Sequence, residues 1–139
     1  MHRQSARSVR GFTLIEIMVV VVIIGILAAV VVPKIMERPE QAKITAAKHD
    51  ITKFVEALDL YRLDNGNYPT TDQGLEALVR KPSTNPIPRA WQEDGYIKKV
   101  PLDPWNNPYQ YLSPGTRGKI DVYSLGPDGE PSDDDIGNW

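Results

Sequence analysis

The fold of this chain is decided by residues 12–32, which read FTLIEIMVVVVIIGILAAVVV. Apart from Thr13 and Glu16, this run is apolar throughout. As an α-helix, its 21 residues would extend about 31 Å, at about 1.5 Å per residue. That length matches the ~30 Å hydrocarbon core of a bilayer. The sequence therefore predicts a membrane-spanning helix near the N-terminus.

The segment before this run is basic. It carries Arg3, Arg7 and Arg10 and no acidic residue, which predicts that the N-terminus stays on the cytoplasmic side. A cleaved secretory signal is the alternative, but its apolar region usually has about 7–15 residues and ends at a small-residue cleavage site. Here the small residues at 28–29 (AA) are followed by three valines and Pro33, without the polar region that would follow a cleavage site. The pattern favours a retained helix, with the remainder of the chain across the membrane.

Glu16 is the one carboxylate in the apolar run. An acid at the centre of a membrane helix costs about 2.5–3.5 kcal/mol, and less near an end. Two interpretations stay open: the carboxylate reaches the interface, or it pairs with a cation within the membrane. A cut after Gly11 would create such a cation, the α-amino group of Phe12. Pairing with a neighbouring chain would fix one axial register between the two helices.

The residues around this position carry a family resemblance. Residues 10–18 (RGFTLIEIM) resemble the class III leader of type IV pilins and their relatives. The resemblance implies that a membrane peptidase cleaves between Gly11 and Phe12 and methylates the new amino group of Phe12. It also implies that Glu16 aligns each subunit during filament assembly.

Beyond Pro33 the sequence predicts that the helix continues to about Asp64. Apolar residues recur there at helical spacing, at Ile44, Ala47, Ile51, Phe54, Val55, Leu58 and Tyr61. Pro33 predicts a kink or a loosened helix, and the family resemblance implies that helix can be lost between Gly25 and Pro33 in an assembled filament. Thr71 or Asp72 is expected to cap a short helix that ends near Val79.

Two strands and a loop follow. Residues 109–112 and 120–125 alternate like strands, with a hairpin turn at 113–118. A third short strand is expected within the loop at residues 80–108, and Trp91, Tyr96 and Trp105 are expected to anchor this loop to the core. The sequence thus predicts an α+β domain of about 100 residues with a modest core.

Composition excludes several classes of function. The chain has no cysteine, and beyond the leader 13 basic residues stand against 18 acids, a formal charge of −5, which argues against a nucleic-acid partner. Its two histidines are His2 in the leader and His49, expected to face solvent. Nucleophile and phosphate-loop motifs are missing. We therefore expect no enzymatic activity.

The C-terminal loop is acidic. Residues 126–135 (GPDGEPSDDD) hold five carboxylates, and no Lys or Arg follows Lys119. Oxygen ligands among turn-forming residues suit Ca²⁺, although the spacing is not that of an EF-hand. From the residues alone, a solvated tail and a metal site are equally compatible with this pattern.

Further motifs resemble the major pseudopilins of type II secretion systems. They are residues 63–70 (LDNGNYPT), 73–78 (QGLEAL), 103–105 (DPW), 107–111 (NPYQY) and 135–139 (DIGNW). This resemblance implies a pilin-like fold, with a long helix packed on a small antiparallel sheet, and a C-terminal loop that binds calcium. The implied ligands are the side chains of Asp128 and Asp135, that of Asp134 or Asp133, and the carbonyl of Leu125. The loop is shorter than in many members of that family.

The resemblance also implies an organisation for the chain. A cleaved leader (1–11) precedes a transmembrane assembly helix (12–32) and a periplasmic domain (33–139), which includes the amphipathic half of the helix to about residue 64 and the acidic loop at 126–135. The anchor lies in the bacterial inner membrane and crosses it once.

The function implied is that of the major subunit of a periplasmic filament, a helical homopolymer that drives exoprotein export. Implied partners are other copies of the chain, the prepilin peptidase, minor pseudopilins, and an inner-membrane assembly platform with a cytoplasmic ATPase. Three alternatives stay open: a type IV pilin for adhesion or motility, a minor pseudopilin, and an anchored calcium-binding module that never polymerises. Type IV pilins usually close with a disulfide, which this chain cannot form.

Overall fold

The computed structural model describes residues 10–139, and at residues 32–37 it describes the backbone only. The predicted basic leader therefore lies outside the described residues, except for Arg10 and Gly11. The predicted segment boundaries after Gly11 and Val32 stay predictions.

One long helix, α1, spans Leu14–Asn65, close to the predicted range. It ends where Gly66 adopts a positive φ of 85° and donates its N–H to the carbonyl of Arg62 at 2.7 Å, because a left-handed residue after the last turn satisfies a free carbonyl. The helix continues without interruption through Gly25 and Pro33. No helix is lost between Gly25 and Pro33 in the single chain. The expected loss of helix concerns the assembled filament and stays a prediction.

Contacts divide the chain into two compact units, one ending at Pro39 and one comprising Glu40–Trp139. In the first unit, Leu14–Val31 has a mean hydropathy of 3.2 and none of it is buried. Among the described residues, this is the one helical stretch long and apolar enough to cross a membrane. The finding agrees with the predicted membrane-spanning helix.

The second unit has its own hydrophobic core. One face of α1 supplies Ile51, Phe54, Leu58 and Tyr61, of which Leu58 is fully buried. These side chains pack with residues from the rest of the unit, namely Leu75, Ala77, Leu78, Tyr109, Tyr111, Ile120, Val122 and Ile136. His49 is exposed, as expected for a residue off the apolar face.

Three short antiparallel strands form a sheet in the order β1-β2-β3. They are β1 (Gln110–Leu112), β2 (Asp121–Ser124) and β3 (Ile136–Gly137). The first two confirm the predicted hairpin, but the third follows the acidic loop instead of lying within residues 80–108. It is held by long-range pairing, with Ser124 opposite Ile136.

A single 3-10 turn, Leu75–Leu78, replaces the predicted short helix. Neither Thr71 nor Asp72 caps it, since the capping position is Gly74, without a side-chain cap. The preceding turn is closed instead by a reciprocal pair: Gln73 Oε1 accepts the Thr70 N–H at 3.1 Å, and Thr70 Oγ1 accepts the Gln73 N–H at 3.2 Å.

Aromatic side chains fasten the long loop to the core, as expected. Trp91 donates its indole N–H to the carbonyl of Ala77 at 2.8 Å. Trp105 donates its indole N–H to Oε1 of Glu40, at the start of the second unit, also at 2.8 Å. Tyr96 donates to Asp64 and packs against Tyr61 and Trp91. These contacts order a segment that is almost free of regular secondary structure.

Candidate functional site

The predicted cleavage position lies in accessible, irregular backbone. Residues 10–13 precede the helix and have no regular secondary structure. Phe12 is 86% exposed, and a side chain at Gly11 would meet nothing within 4 Å. A peptidase needs an exposed, non-helical segment, so the Gly11–Phe12 bond is placed where it could be reached.

Glu16 takes part in a capping box at the start of α1. Its Oε2 accepts the backbone N–H of Thr13 at 2.8 Å, and the Thr13 hydroxyl accepts the N–H of Glu16 at 3.3 Å. This reciprocal pair satisfies two donors that the first helical turn leaves open. The carboxylate also lies at the positive end of the helix dipole, which stabilises an acid there. Glu16 therefore has a role within one chain that neither sequence interpretation included.

The acidic loop is organised around Ser132. The Ser132 hydroxyl contacts Oδ2 of Asp128 at 3.0 Å and also Oδ1 of Asp134. The Ser132 N–H donates to Oδ1 of Asp135 at 3.3 Å. Three of the predicted ligands are thus brought together through one serine, whereas Asp133 takes no part in these bonds.

The two ends of this loop meet at Gly126. Gly126 has a φ of 70°, and a Cβ there would lie 3.2 Å from the carbonyl oxygen and 3.4 Å from Oδ2 of Asp134. Only glycine combines this backbone conformation with such a close approach. The neighbouring residue Leu125, whose carbonyl is the predicted backbone ligand, is half-buried.

The donor set fits a hard cation. One serine hydroxyl has a single proton but touches two carboxylates, so one of those oxygens faces another acceptor. Hydrogen bonds, first from the Glu130 N–H and then from the Ser132 hydroxyl, lower the pKa of Asp128 and keep it ionised. Carboxylate and carbonyl oxygens are the ligands that Ca²⁺ takes, in flexible geometry.

The loop is not preshaped as a metal cage. In the described part of the chain, no three acidic, histidine or cysteine side chains have the spacing of a metal centre. The carboxylates are joined through Ser132 instead of facing one common point. The oxygen ligands suit calcium by their chemistry, but Asp128, Asp134 and Asp135 would have to rearrange to bind one ion.

Several residues that organise this region were missed from the sequence. Ser132 is the shared donor of the loop, and Ser124, which lies two residues before the loop, forms a buried pair with Asp103. Asp121 holds the β1–β2 turn by accepting bonds from Thr116 and from the N–H groups of the next two residues. Of the features that the sequence analysis missed, only the capping box at Glu16 could have been predicted, because the Thr13-x-x-Glu16 spacing is its sequence signature.

Two family models match this chain. Residues 34–139 match the family model described as type II secretion system (T2SS), protein G. Residues 6–32 match the prokaryotic N-terminal methylation motif. The two matches follow one another along the chain and together leave out only residues 1–5 and Pro33.

Individual relatives are similar over nearly the whole chain. A Pseudomonas aeruginosa protein named type II secretion system core protein G is 64% identical, covering 96% of each chain. The Vibrio cholerae protein of the same name is 58% identical, and the match covers 96% of this chain and 93% of that protein.

A solved structure has the same fold. The crystal structure of the major pseudopilin from the type 2 secretion system of enterohaemorrhagic Escherichia coli matches with a TM-score of 0.71 at 50% identity. The match covers 75% of this chain and 88% of that one. The chain belongs to the type II secretion system protein G family.

Proposed function

We propose that this chain is the major structural subunit of a type II secretion pseudopilus. The observation that carries the proposal is the uncovered apolar helix Leu14–Val31, joined to a domain of the protein G family. A surface of this hydropathy must be covered by lipid or by other chains. Lipid would cover it in the bilayer, and neighbouring copies would cover it in a filament. The family match weighs against a type IV pilin and against a minor pseudopilin.

Processing would precede assembly. The prepilin peptidase would cut between Gly11 and Phe12 and methylate Phe12, in the region that matches the methylation motif. Mass spectrometry of the mature N-terminus tests this: we expect a chain that begins at methylated Phe12. A cleaved secretory signal would instead give a start near Val30.

Location and partners follow from the same proposal. The helix would anchor the subunit in the inner membrane, with the second unit in the periplasm. Copies of the chain would add to the filament through contacts with minor pseudopilins and with an assembly platform that has a cytoplasmic ATPase. The chain itself would serve as a structural element without catalytic activity.

Cross-linking tests polymerisation against a solitary anchor. Because the chain has no cysteine, an Ile17→Cys, Ile26→Cys double variant reports only on the apolar helix. With a flexible bis-maleimide in cells that assemble the filament, we expect a ladder of multimers. The same double variant carrying Glu16→Ala serves as the control and should lose the ladder while staying inserted and cleaved. Monomers and dimers alone in the parent variant would contradict the proposal.

We also propose that the acidic loop binds Ca²⁺ through Asp128, Asp134 and Asp135 with the Leu125 carbonyl, and that Asp133 stays outside. Bound calcium would neutralise the clustered carboxylates and tie the loop to the domain, which has no disulfide to do so. Support comes from the convergence on Ser132 and the oxygen-only donor set. A calcium-specific rise in melting temperature over EGTA and Mg²⁺, measured on the full chain in detergent micelles, tests the proposal.

A further inference from the structure

A buried hydroxyl connects the end of β2 to the start of the acidic loop. Ser124 is fully buried, and its hydroxyl donates to Oδ2 of Asp103 at 2.6 Å. The same oxygen accepts the backbone N–H of Gly126 at 3.1 Å. Ser124 therefore holds the peptide group between Leu125 and Gly126 from the inside of the domain.

Asp103 is fixed in turn by its own surroundings. Only 3% of it is exposed, and its Oδ1 accepts the N–H groups of Trp105 and Asn107 at 3.0 and 2.8 Å. Its backbone N–H donates to the carbonyl of Asn107 at 2.8 Å. The acceptor for Ser124 is thus part of a closed turn and has little freedom to move.

The direction of the Leu125 carbonyl follows from the geometry of a peptide bond. In a trans peptide, the N–H of one residue and the carbonyl of the residue before it point to opposite sides. The N–H of Gly126 points inward to Ser124, so the carbonyl of Leu125 points away from the buried pair. Asp134 lies against the same glycine, with its carboxylate 3.4 Å from where a Cβ would be.

We propose that Ser124 and Asp103 are positioning residues, which orient the Leu125 carbonyl outward as a ligand for the cation of the acidic loop. The inference rests on the calcium binding proposed above. Neither residue would touch the ion. Both would act by fixing one peptide group before the ion arrives, so that one ligand does not have to be reoriented on binding.

The test compares two variants that each remove one buried hydroxyl. Ser124→Ala deletes the acceptor for the Gly126 N–H. Tyr111→Phe is the matched control, because the Tyr111 hydroxyl is also buried and donates to the carbonyl of Pro69 at 2.8 Å, outside the loop. Calcium affinity is measured by isothermal titration of the full chain in detergent micelles, and the melting temperature is measured in EGTA.

We expect both variants to melt at a lower temperature in EGTA, because each loses a buried hydrogen bond. Only Ser124→Ala should weaken calcium binding, by about 10–100-fold, as is typical when the partner that orients a ligand is removed. Backbone amide exchange at Gly126 should become faster in that variant. Unchanged affinity in Ser124→Ala, or an equal loss in Tyr111→Phe, would overturn the inference.

Asp103→Asn provides a second test if Ser124→Ala does not fold. It keeps an oxygen for the N–H groups of Trp105 and Asn107 but replaces the charged acceptor of Ser124. We expect a smaller loss of affinity in the same direction, and wild-type affinity would count against the inference. If the wild-type protein binds no calcium, the calcium proposal itself fails. If the wild type binds calcium and both variants bind it equally well, only the positioning inference fails.

Discussion

Thr13 and Glu16 exchange two hydrogen bonds across the first turn of the long helix, each side chain accepting the backbone N–H of the other residue. The carboxylate of Glu16 therefore closes its own helix before any neighbouring chain is present. In the filament proposed above, the same oxygens would also pair with the amino group of an adjacent Phe12. Loss of assembly after Glu16→Ala could then come from the missing cap or from the missing charge.

Glu16→Gln separates these two roles, because glutamine completes a capping box without a charge. We expect the variant to insert and to be cleaved normally, while cross-linked multimers in the double-cysteine background fall several-fold. Thr13→Val is the complementary control, since it removes the hydroxyl half of the capping box and keeps the charge, and it should assemble better than Glu16→Gln. Wild-type multimer yield from Glu16→Gln would show that the charge is not needed.

Asp128→Ala should lose the stabilisation given by calcium. A ligand at 100 times its Kd stabilises the folded state by about 2.7 kcal/mol, and each kcal/mol shifts Tm by about 4–8 °C in a domain of this size. We therefore expect a calcium-induced rise on the order of 10 °C in the wild type and little rise in Asp128→Ala. Asp133→Ala is the control, because Asp133 is outside the Ser132 contacts, and it should keep most of the rise. Equal rises in all three proteins would exclude Asp128 as a ligand.

Asp121 should make stability depend on pH. Burial raises the pKa of Asp121, but hydrogen bonds from the Thr116 hydroxyl and from the N–H groups of residues 116–118 outweigh this effect, and the pKa lies below its usual range. A folded-state pKa below the unfolded-state pKa of about 3.9 stabilises the folded protein. That stabilisation is present above the unfolded-state pKa and is lost as the pH falls through the folded-state pKa.

Asp121→Asn tests this dependence. It should destabilise the chain by about 1–3 kcal/mol at pH 7, since an amide nitrogen would face backbone donors. The difference from wild type should shrink as the pH falls below about 4. Urea unfolding across pH measures both effects, with the exposed Asp94→Asn as control. A difference that stays constant from pH 7 to pH 3 would contradict the assignment.

The core of the second unit depends on the inner face of α1. Leu58 is fully buried, whereas Leu63, five residues later on the same helix, is 81% exposed. We expect Leu58→Ala to lower the free energy of unfolding by about 2–5 kcal/mol, and Leu63→Ala to change it by about 0.5 kcal/mol or less. Thermal or urea unfolding of the two variants measures the contrast. Similar losses would mean that α1 packs by a different face.

Periodic and alternating segments were predictable from the sequence. The range of α1 follows from its helical spacing, and the β1–β2 hairpin follows from alternation around a turn. β3 was not predictable, because two residues carry no period and this strand exists only through pairing with β2.

The position of the acidic loop could be predicted from the sequence, but the role of each of its carboxylates could not. Five carboxylates in ten residues are visible in the sequence, yet only the fold shows that Asp128, Asp134 and Asp135 converge on Ser132. Asp103 and Ser124 are 21 positions apart, so no local pattern links them. Their pairing depends on how the turn at residues 103–107 docks beside β2.

The pairing of Ser124 with Ile136 across β2 and β3 has a consequence for how this family can diversify. Because the paired strands fix the distance between the two ends of the loop, residues can be added or deleted within the loop without shifting the sheet. Selection on the sheet and selection on the loop are therefore separable. The loop can therefore vary in length and composition while the sheet beneath it stays the same.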